Sequence, residues 1–125
     1  MGICLPCGGK LAYCGGEGLA TVAWYDENGG KRPHPVADKQ GNTFNLHDMS
    51  GNVWEWVEDC WHDSYRGAPD DGSAWVFACN SGDRVLRGGS WYTFASQARA
   101  SGRNAHPPAD RHYLNGFRVA RTRLP

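Results

Sequence analysis

Two carboxylates flank a tight turn near the middle of the chain. Asp48 and Glu55 lie on either side of Gly51-Asn52, a dipeptide typical of turns whose carbonyl groups can point inward. Carboxylates combined with backbone carbonyls form the hard oxygen ligand set that calcium prefers. The same two carboxylates could instead cap the turn and pair with arginines farther along the chain. The residues therefore leave two interpretations open, a cation site and an ion-paired turn.

The five cysteines offer a second kind of chemistry. Cys4 and Cys7 form a CxxC pair, which is half of a zinc site or a redox couple. Zinc would need two further ligands, for which Cys14 and His34 are candidates without other support. We favour incidental thiols in an N-terminal segment. His47 has no nucleophile beside it, so we expect it to be structural rather than an acid-base catalyst.

The net charge is zero, but it is distributed unevenly along the chain. Residues 1–83 carry five basic and twelve acidic groups, whereas residues 84–125 carry eight arginines, no lysine and one aspartate. One interpretation is a basic surface for an anionic ligand or nucleic acid. We favour pairing within the domain, because the planar guanidinium suits fixed ion pairs. We therefore expect no nucleic-acid partner, and we expect four arginines to contact residues 42–63: Arg87, Arg99, Arg103 and Arg118.

Length and hydropathy limit the architecture and the compartment. A chain of 125 residues supports one small domain. It has no apolar run long enough to cross a membrane or to form a signal peptide, so we expect no membrane partner. As written, the chain is expected to be cytoplasmic. If the natural start lies upstream of Met1, a periplasmic or extracellular location is expected instead.

Short strands separated by glycine-rich segments are the predicted secondary structure. With 17 Gly and 6 Trp, the composition favours a coil-rich domain pinned by large aromatic side chains. No helix of ordinary length is predicted, and Trp61–Gly82 is predicted to be a long surface loop. The predicted fold class is α+β. The predicted strands are Thr21–Tyr25, Asn52–Asp59, Arg84–Arg87 and Gly116–Arg121.

Three blocks of sequence resemble a known family. Asn42–Trp56 reads NTFNLHDMSGNVWEW, Arg84–Trp91 reads RVLRGGSW, and Gly116–Arg121 reads GFRVAR. In this order they are similar to the C-terminal part of the formylglycine-generating enzyme (sulfatase-modifying factor) domain. The resemblance implies a C-type-lectin-like fold truncated at the N-terminus. Residues 1–10 would then be an irregular segment and residues 11–125 the C-terminal part of the domain, with its N-terminal half as a possible partner.

The resemblance also implies ligands for metals. One calcium ion of the family corresponds here to the side chains of Asp48 and Glu55 and the carbonyls of Gly51 and Val53. Oxidase members hold copper on two cysteines that follow the Gly-Gly-Ser-aromatic motif, because Cu(I) requires soft thiolates. The corresponding positions are Thr93 and about Ala98, and no cysteine follows Cys79. Calcium is therefore a possible cofactor, copper is not expected, and we lean against an enzyme.

Two further cysteines correspond to a pair that many bacterial relatives carry. Cys60 and Cys79 flank the long loop, and the resemblance implies a disulfide between them. Closing a loop of about twenty residues would stabilise the domain by roughly 3 kcal/mol on the chain-entropy model. In a reducing compartment the two residues would instead be buried thiols.

The function that these features indicate is a non-oxidase binding or accessory module. The alternatives are a ligand-binding variable protein of a diversity-generating retroelement, or a fragment of a sulfoxide-synthase or sulfatase-modifying enzyme. The ligand would be an unknown protein or small molecule. Tyr, Ser and Asn side chains on a rigid frame, here Gly88–Trp91 and Gly116-Phe117, are favoured at binding surfaces. Phe94 is expected in the core. The candidate binding residues are Tyr92, Asn104, His106, His112 and Tyr113.

Overall fold

Most of the chain is turns and loops around one small sheet. The computed structural model describes residues 12–16 and 18–121, so the predicted N-terminal segment with Cys4 and Cys7 lies outside the described residues. The fold is the coil-rich α+β arrangement expected from the sequence. Its elements are α1 (Leu19–Val22), β1 (Trp54–Cys60), β2 (Arg84–Arg87), β3 (Arg103–His106) and β4 (Asn115–Gly116).

The predicted strand at Thr21–Tyr25 is wrong, because this segment begins as the single turn α1. The Thr21 hydroxyl donates to the Gly18 carbonyl at 2.7 Å, and Ala23 N–H donates to the Leu19 carbonyl at 2.9 Å. A helical turn places Leu19 and Val22 on one buried side, and this burial outweighs the strand preference of the β-branched residues. Within the described part of the chain, no helix is long and apolar enough to cross a membrane.

The sheet has the order β3-β2-β1-β4. β1 and β2 are antiparallel, with Trp56 opposite Leu86, and a β-bulge interrupts the pairing before Cys60. β2 and β3 are also antiparallel, whereas β4 runs parallel to β1. The predictions of β1 and β2 are confirmed, with a shift of the β1 bounds. β3 was not predicted, because none of its four residues is fully buried and their sequence therefore lacks an apolar alternation.

The C-terminal strand is much shorter than predicted. β4 ends at Gly116, and no backbone hydrogen bond extends the pairing over residues 117–121 in the part of the chain that the structure describes. The predicted alternation of side chains persists over residues 117–119 and ends at Ala120, which is exposed. Phe117 and Val119 are 75% and 88% exposed, while Arg118 points the opposite way, to Glu55. The period-two pattern therefore identified the facing of these side chains but not the extent of the strand.

The loop between β1 and β2 is packed. Cys60 and Cys79 form a disulfide with a Cα–Cα distance of 5.7 Å. Cys60 N–H donates to the Trp75 carbonyl at 3.0 Å, and the Trp75 ring is buried against His62. The loop therefore has a small core of its own, closed at the end of β1.

Backbone hydrogen bonds of the Gly51-Asn52 turn connect three segments of the chain, counting the turn itself. Both residues have left-handed conformations, with φ of 74° and 63°. Gly51 N–H donates to the Gly88 carbonyl at 2.7 Å, and Asn52 N–H donates to the Trp24 carbonyl at 2.8 Å. The Asn52 carbonyl in turn accepts from Trp91 N–H at 2.8 Å. The turn thus connects the N-terminal region with the segment that follows β2.

The Asn52 side chain adds a fourth segment to this turn. Its Oδ1 accepts from His34 N–H at 2.9 Å, and its Nδ2 donates to the His34 carbonyl at 3.2 Å. The amide therefore satisfies both backbone groups of His34, as a neighbouring strand would.

The expectation for the tail arginines is right for Arg103 and Arg118. Arg118 bonds both oxygens of Glu55. Arg103 donates to the His62 carbonyl at 2.9 Å. Both arginines therefore contact residues within the range 42–63 and serve the fold.

The same expectation is wrong for Arg87 and Arg99. Arg87 donates to carbonyls of residues 100–102, and Arg99 donates to the Ser96 carbonyl. The connection between β2 and β3 places these carbonyls beside the two guanidinium groups, so both arginines find partners locally. They are structural, but they do not reach the acidic half of the chain.

Two glycines with positive φ provide a test of the packing at the turn. A Cβ at Gly51 would lie 2.2 Å from the Trp24 carbonyl oxygen, whereas a Cβ at Gly67 would have no heavy atom within 4 Å. We expect Gly67→Ala to cost about 1 kcal/mol, which is the strain of the left-handed conformation alone. Gly51→Ala is expected to cost several kcal/mol more, measured by urea unfolding, because backbone must move. Equal losses in the two variants would contradict the close approach at Gly51.

Candidate functional site

A continuous series of side-chain contacts, here named the ring array, runs from Tyr92 to Asn104 of β3. It comprises Tyr92, Trp91, Tyr113, His112, His106 and Asn104. The Trp91 ring centroid lies 5.5 Å from that of Tyr92 and 6.0 Å from that of Tyr113. Tyr113 stacks on His112 at 4.4 Å, and His112 lies 6.3 Å from His106. Asn104 Nδ2 is 3.4 Å from His106 Nε2.

The ring array contains all five residues predicted to bind a ligand. Trp91 was predicted only to be part of the frame, and its ring connects those of Tyr92 and Tyr113. Trp91 is 6% exposed, whereas Tyr92 and Tyr113 are 61% and 69% exposed. The array therefore has a buried centre, Trp91, with an exposed tyrosine on either side.

The prediction that Phe94 is a core residue is wrong, because its side chain is 67% exposed. A turn begins at this residue, and its carbonyl accepts from the N–H groups of Gln97 and Ala98. Ala98 is completely buried against Leu19 and Val22 of α1. The small side chain therefore takes the core position, and the turn directs the phenyl ring outward.

Hydrogen bonds orient the two histidines of the ring array. His106 Nδ1 lies 3.1 Å from Asp110 Oδ2. His112 Nδ1 accepts from Leu114 N–H at 3.3 Å, so a neutral His112 carries its proton on Nε2. The array thus offers aromatic faces, phenol hydroxyls and imidazole N–H groups, which suit binding by stacking and hydrogen bonding.

The turn predicted to bind calcium has one unsatisfied oxygen. Asp48 is 8% exposed and has a positive φ of 57°. Its Oδ2 accepts from Ala37 N–H at 2.8 Å, while its buried Oδ1 has no hydrogen-bond partner. A buried carboxylate oxygen without a donor is a suitable cation ligand.

Glu55 is occupied by Arg118. The guanidinium donates from Nε to Oε2 at 2.7 Å and from Nη2 to Oε1. Nη2 also lies within hydrogen-bond distance of the carbonyls of His47 and Asp48. The hydrogen bond to Glu55 raises the pKa of Arg118 above its ordinary value. Arg118 is therefore a permanent positive charge inside the predicted cation site.

The four residues predicted to hold calcium consequently fit it only in part. Asp48 offers a free oxygen, and Gly51 and Val53 lie in the same turn, but both oxygens of Glu55 face a guanidinium. The residues described by the structure contain no group of three or more His, Cys, Asp or Glu side chains placed to hold a metal. In this arrangement Arg118 supplies the positive charge that a cation would bring.

The positions that correspond to the copper ligands of oxidase relatives do not fit copper. The Thr93 hydroxyl accepts from Ser90 N–H and donates to the Ser90 carbonyl, both at 2.9 Å. A Cβ at Gly89 would lie 2.9 Å from this hydroxyl and 3.0 Å from Ala98 Cα. Thr93 and Ala98 therefore pack the Gly-Gly-Ser turn and present no thiolate for Cu(I).

The candidate zinc ligands and His47 also have structural roles. Cys14 is disulfide-bonded and offers no thiolate. His34 stacks on Trp24 at 3.7 Å, and its Nε2 lies 2.8 Å from the Gly29 carbonyl. His47 Nδ1 lies 2.8 Å from the Lys39 carbonyl. These rings are committed to packing and backbone contacts.

Solved structures with the same fold are similar to this chain in sequence as well. PvdO from Pseudomonas aeruginosa is 38% identical, with a TM-score of 0.72 over 85% of this chain and 42% of that one. Treponema denticola variable protein 1 is 31% identical, with a TM-score of 0.71 over 88% of this chain and 40% of that one. The chain thus spans less than half the length of these relatives.

Curated proteins and a family model agree with this likeness. A serine/threonine-protein kinase pkn1 from Chlamydia caviae is 34% identical over 70% of this chain and 14% of its own length. The mouse formylglycine-generating enzyme is 29% identical over 87% of this chain and 30% of its own length. Residues 8–123 match the model of the sulfatase-modifying factor enzyme 1-like domain. This chain therefore belongs to the sulfatase-modifying factor enzyme 1-like domain family.

Proposed function

We propose that the chain is a ligand-binding module without oxidase activity and that its ligand contacts the ring array. The observation that carries the proposal is the convergence of side chains drawn from positions 91 to 113 into one continuous series of contacts. Structural packing alone does not require aromatic and imidazole rings to stack where they remain exposed to solvent.

The frame beneath the ring array is suited to binding. Trp91 N–H donates to the Asn52 carbonyl, and Ser90 N–H donates to the Thr93 hydroxyl. A rigid centre with exposed tyrosines offers contact area at a low cost in side-chain entropy. The histidines and Asn104 add hydrogen-bonding groups that orient a ligand. The partner that this surface suits is a protein or a small polar molecule.

The chemistry at the Gly-Gly-Ser turn supports a function other than oxidation. In oxidase relatives two cysteines after this motif hold copper, and here Thr93 and Ala98 occupy the corresponding positions. Both residues are buried and pack against Gly89. A binding role uses the same frame and requires no thiolate.

Substitution in the ring array is expected to weaken ligand binding. The probes are a displayed peptide library and a glycan array, each screened with the whole chain. Tyr113→Ser and His112→Ser are expected to weaken binding of the selected ligands about tenfold or more, because central aromatic contacts contribute about 1–2 kcal/mol each. Phe44→Ser is the matched control, since Phe44 is 57% exposed and lies outside the array. Equal binding by Tyr113→Ser and the wild type, or no enrichment from either library, would contradict the proposal.

A second candidate function is that of a diversified ligand-binding protein. It is favoured by the 31% identity to the Treponema denticola protein that is named variable protein 1. A coding segment for residues 84–121 with a near-copy beside a reverse transcriptase gene is the expected observation. Differences between the copies should fall on exposed array positions such as Tyr92 and His112 and spare Trp91. A genome without such a copy would leave an invariant binding module as the function.

We also propose that calcium competes with Arg118 for Glu55. The unsatisfied Asp48 oxygen supports a cation at the turn, while the guanidinium pair opposes it. A cation that takes Glu55 as a ligand must first break two charge-assisted hydrogen bonds. Calcium binding to the chain is therefore expected to be weak.

Calorimetry with calcium tests this competition. Arg118→Gln removes the positive charge and is expected to bind calcium more tightly than the wild type. Asp48→Ala is expected to give no binding heat, because it removes the free oxygen. Arg121→Gln serves as the control, since Arg121 is exposed. Calcium affinities that are the same in Arg118→Gln and the wild type would show that Arg118 and the ion do not compete.

A further inference from the structure

His62 is a buried histidine that the proposed function does not use. It lies two residues after the end of β1 and is 5% exposed. Its ring stacks on Trp75 with centroids 3.5 Å apart and an interplanar angle of 5°. Both residues lie inside the loop that the Cys60–Cys79 disulfide closes. The ring is therefore part of the core of this loop.

Both ring nitrogens of His62 face backbone carbonyl oxygens. Nδ1 lies 3.1 Å from the Cys60 carbonyl, and Nε2 lies 3.0 Å from the Phe77 carbonyl. A carbonyl oxygen only accepts hydrogen bonds, and a neutral imidazole has a single N–H. Only the doubly protonated ring can make both bonds. In the neutral ring, one lone pair would face an oxygen.

The other structural histidines differ from His62 in this respect. His34 Nε2 contacts the Gly29 carbonyl and His47 Nδ1 contacts the Lys39 carbonyl, so one N–H suffices for each of these contacts. A neutral tautomer satisfies both contacts. The double carbonyl environment is thus a specific property of the His62 site.

The two carbonyls belong to opposite ends of the disulfide loop. Cys60 ends β1, and Phe77 lies two residues before Cys79. The protonated ring therefore ties the ends of the loop together beside the disulfide. The face of Trp75 favours a positive charge stacked on it. Cys60 is 3% exposed and Cys79 is exposed, so a reagent attacks the Cys79 sulfur and must expel the Cys60 thiolate inside the loop core, a step that loosening of the loop favours.

Charged groups on each neighbouring element have hydrogen-bond partners of their own. Asp59 of β1 accepts from Trp75 N–H at 3.2 Å. Asp63, which follows His62, accepts from the Trp61 indole and the Asn80 amide. Arg103 of β3 donates to the His62 carbonyl. The two carboxylates and the two ring hydrogen bonds favour a positive ring, whereas Arg103 and burial oppose it.

We propose that His62 is a proton-dependent clasp of the disulfide loop. The imidazolium bridges the Cys60 and Phe77 carbonyls and holds the loop closed. Loss of the proton breaks one of these bonds and loosens the loop around the disulfide. Because the closed loop offers both carbonyl acceptors to the imidazolium and the open loop does not, lowering the pH favours the closed state. This device is independent of ligand binding at the ring array.

The rate at which a phosphine reduces the Cys60–Cys79 disulfide tests the clasp. The full chain is reduced between pH 8 and pH 5.5, and alkylated peptides identify the two cysteines by mass spectrometry. Rates are divided by those of oxidised glutathione in the same buffers. The normalised rate is expected to fall about five- to tenfold as the pH falls, the effect of one hydrogen bond. His62→Gln should remove this dependence, and His47→Gln should retain it.

The protonation state of the ring gives a second measurement, which needs no variant. In nitrogen-15 NMR spectra of the wild type at pH 6, both ring nitrogens of His62 are expected to carry protons. A neutral single tautomer at that pH would overturn the proposal. A normalised reduction rate that does not vary with pH, or that varies equally in His62→Gln, would overturn it as well.

Discussion

The close packing of the Gly51-Asn52 turn is the constraint on which the rest of the molecule depends. Gly51 has no room for a side chain, because a Cβ would meet the Trp24 carbonyl. Asn52 then bonds His34 through its amide and accepts from Trp91 through its carbonyl. In a protein with so little regular secondary structure, few backbone N–H and C=O groups are paired within sheets or helices. This turn supplies hydrogen-bond partners for the backbone of several loops at once.

The same turn positions both candidate sites. On one side it fixes Trp91, the buried centre of the ring array. On the other side the chain continues into β1, where Glu55 meets Arg118. A local change in the turn would therefore alter the binding surface and the charged pair together. The disulfide loop has its own core around Trp75 and is less dependent on this turn.

The sequence predicted those features that depend on local pattern. β1 and β2 carry apolar residues at strand spacing, and five members of the ring array were recognisable as Tyr, His and Asn residues outside any core pattern. Most of the misses, though not that of Arg99, depend on contacts between separate segments of the chain. The burial of Ala98 against α1 decided both the helical turn and the exposure of Phe94. β3 is formed by pairing with β2. Arg87 of β2 donates to the Gly102 carbonyl, which directly precedes β3.

The parallel pairing of β4 with β1 has a consequence for the order of folding. Trp54 N–H bonds the Leu114 carbonyl, and Glu55 meets Arg118 across 63 residues of chain. A ribosome delivers β1 long before the tail that completes it. One edge of β1 therefore remains unpaired until residues 114–118 have emerged. Contacts of such long sequence separation slow folding and prolong the exposure of unpaired strand edges. The sheet is thus expected to be completed only after residues 114–118 have been synthesised.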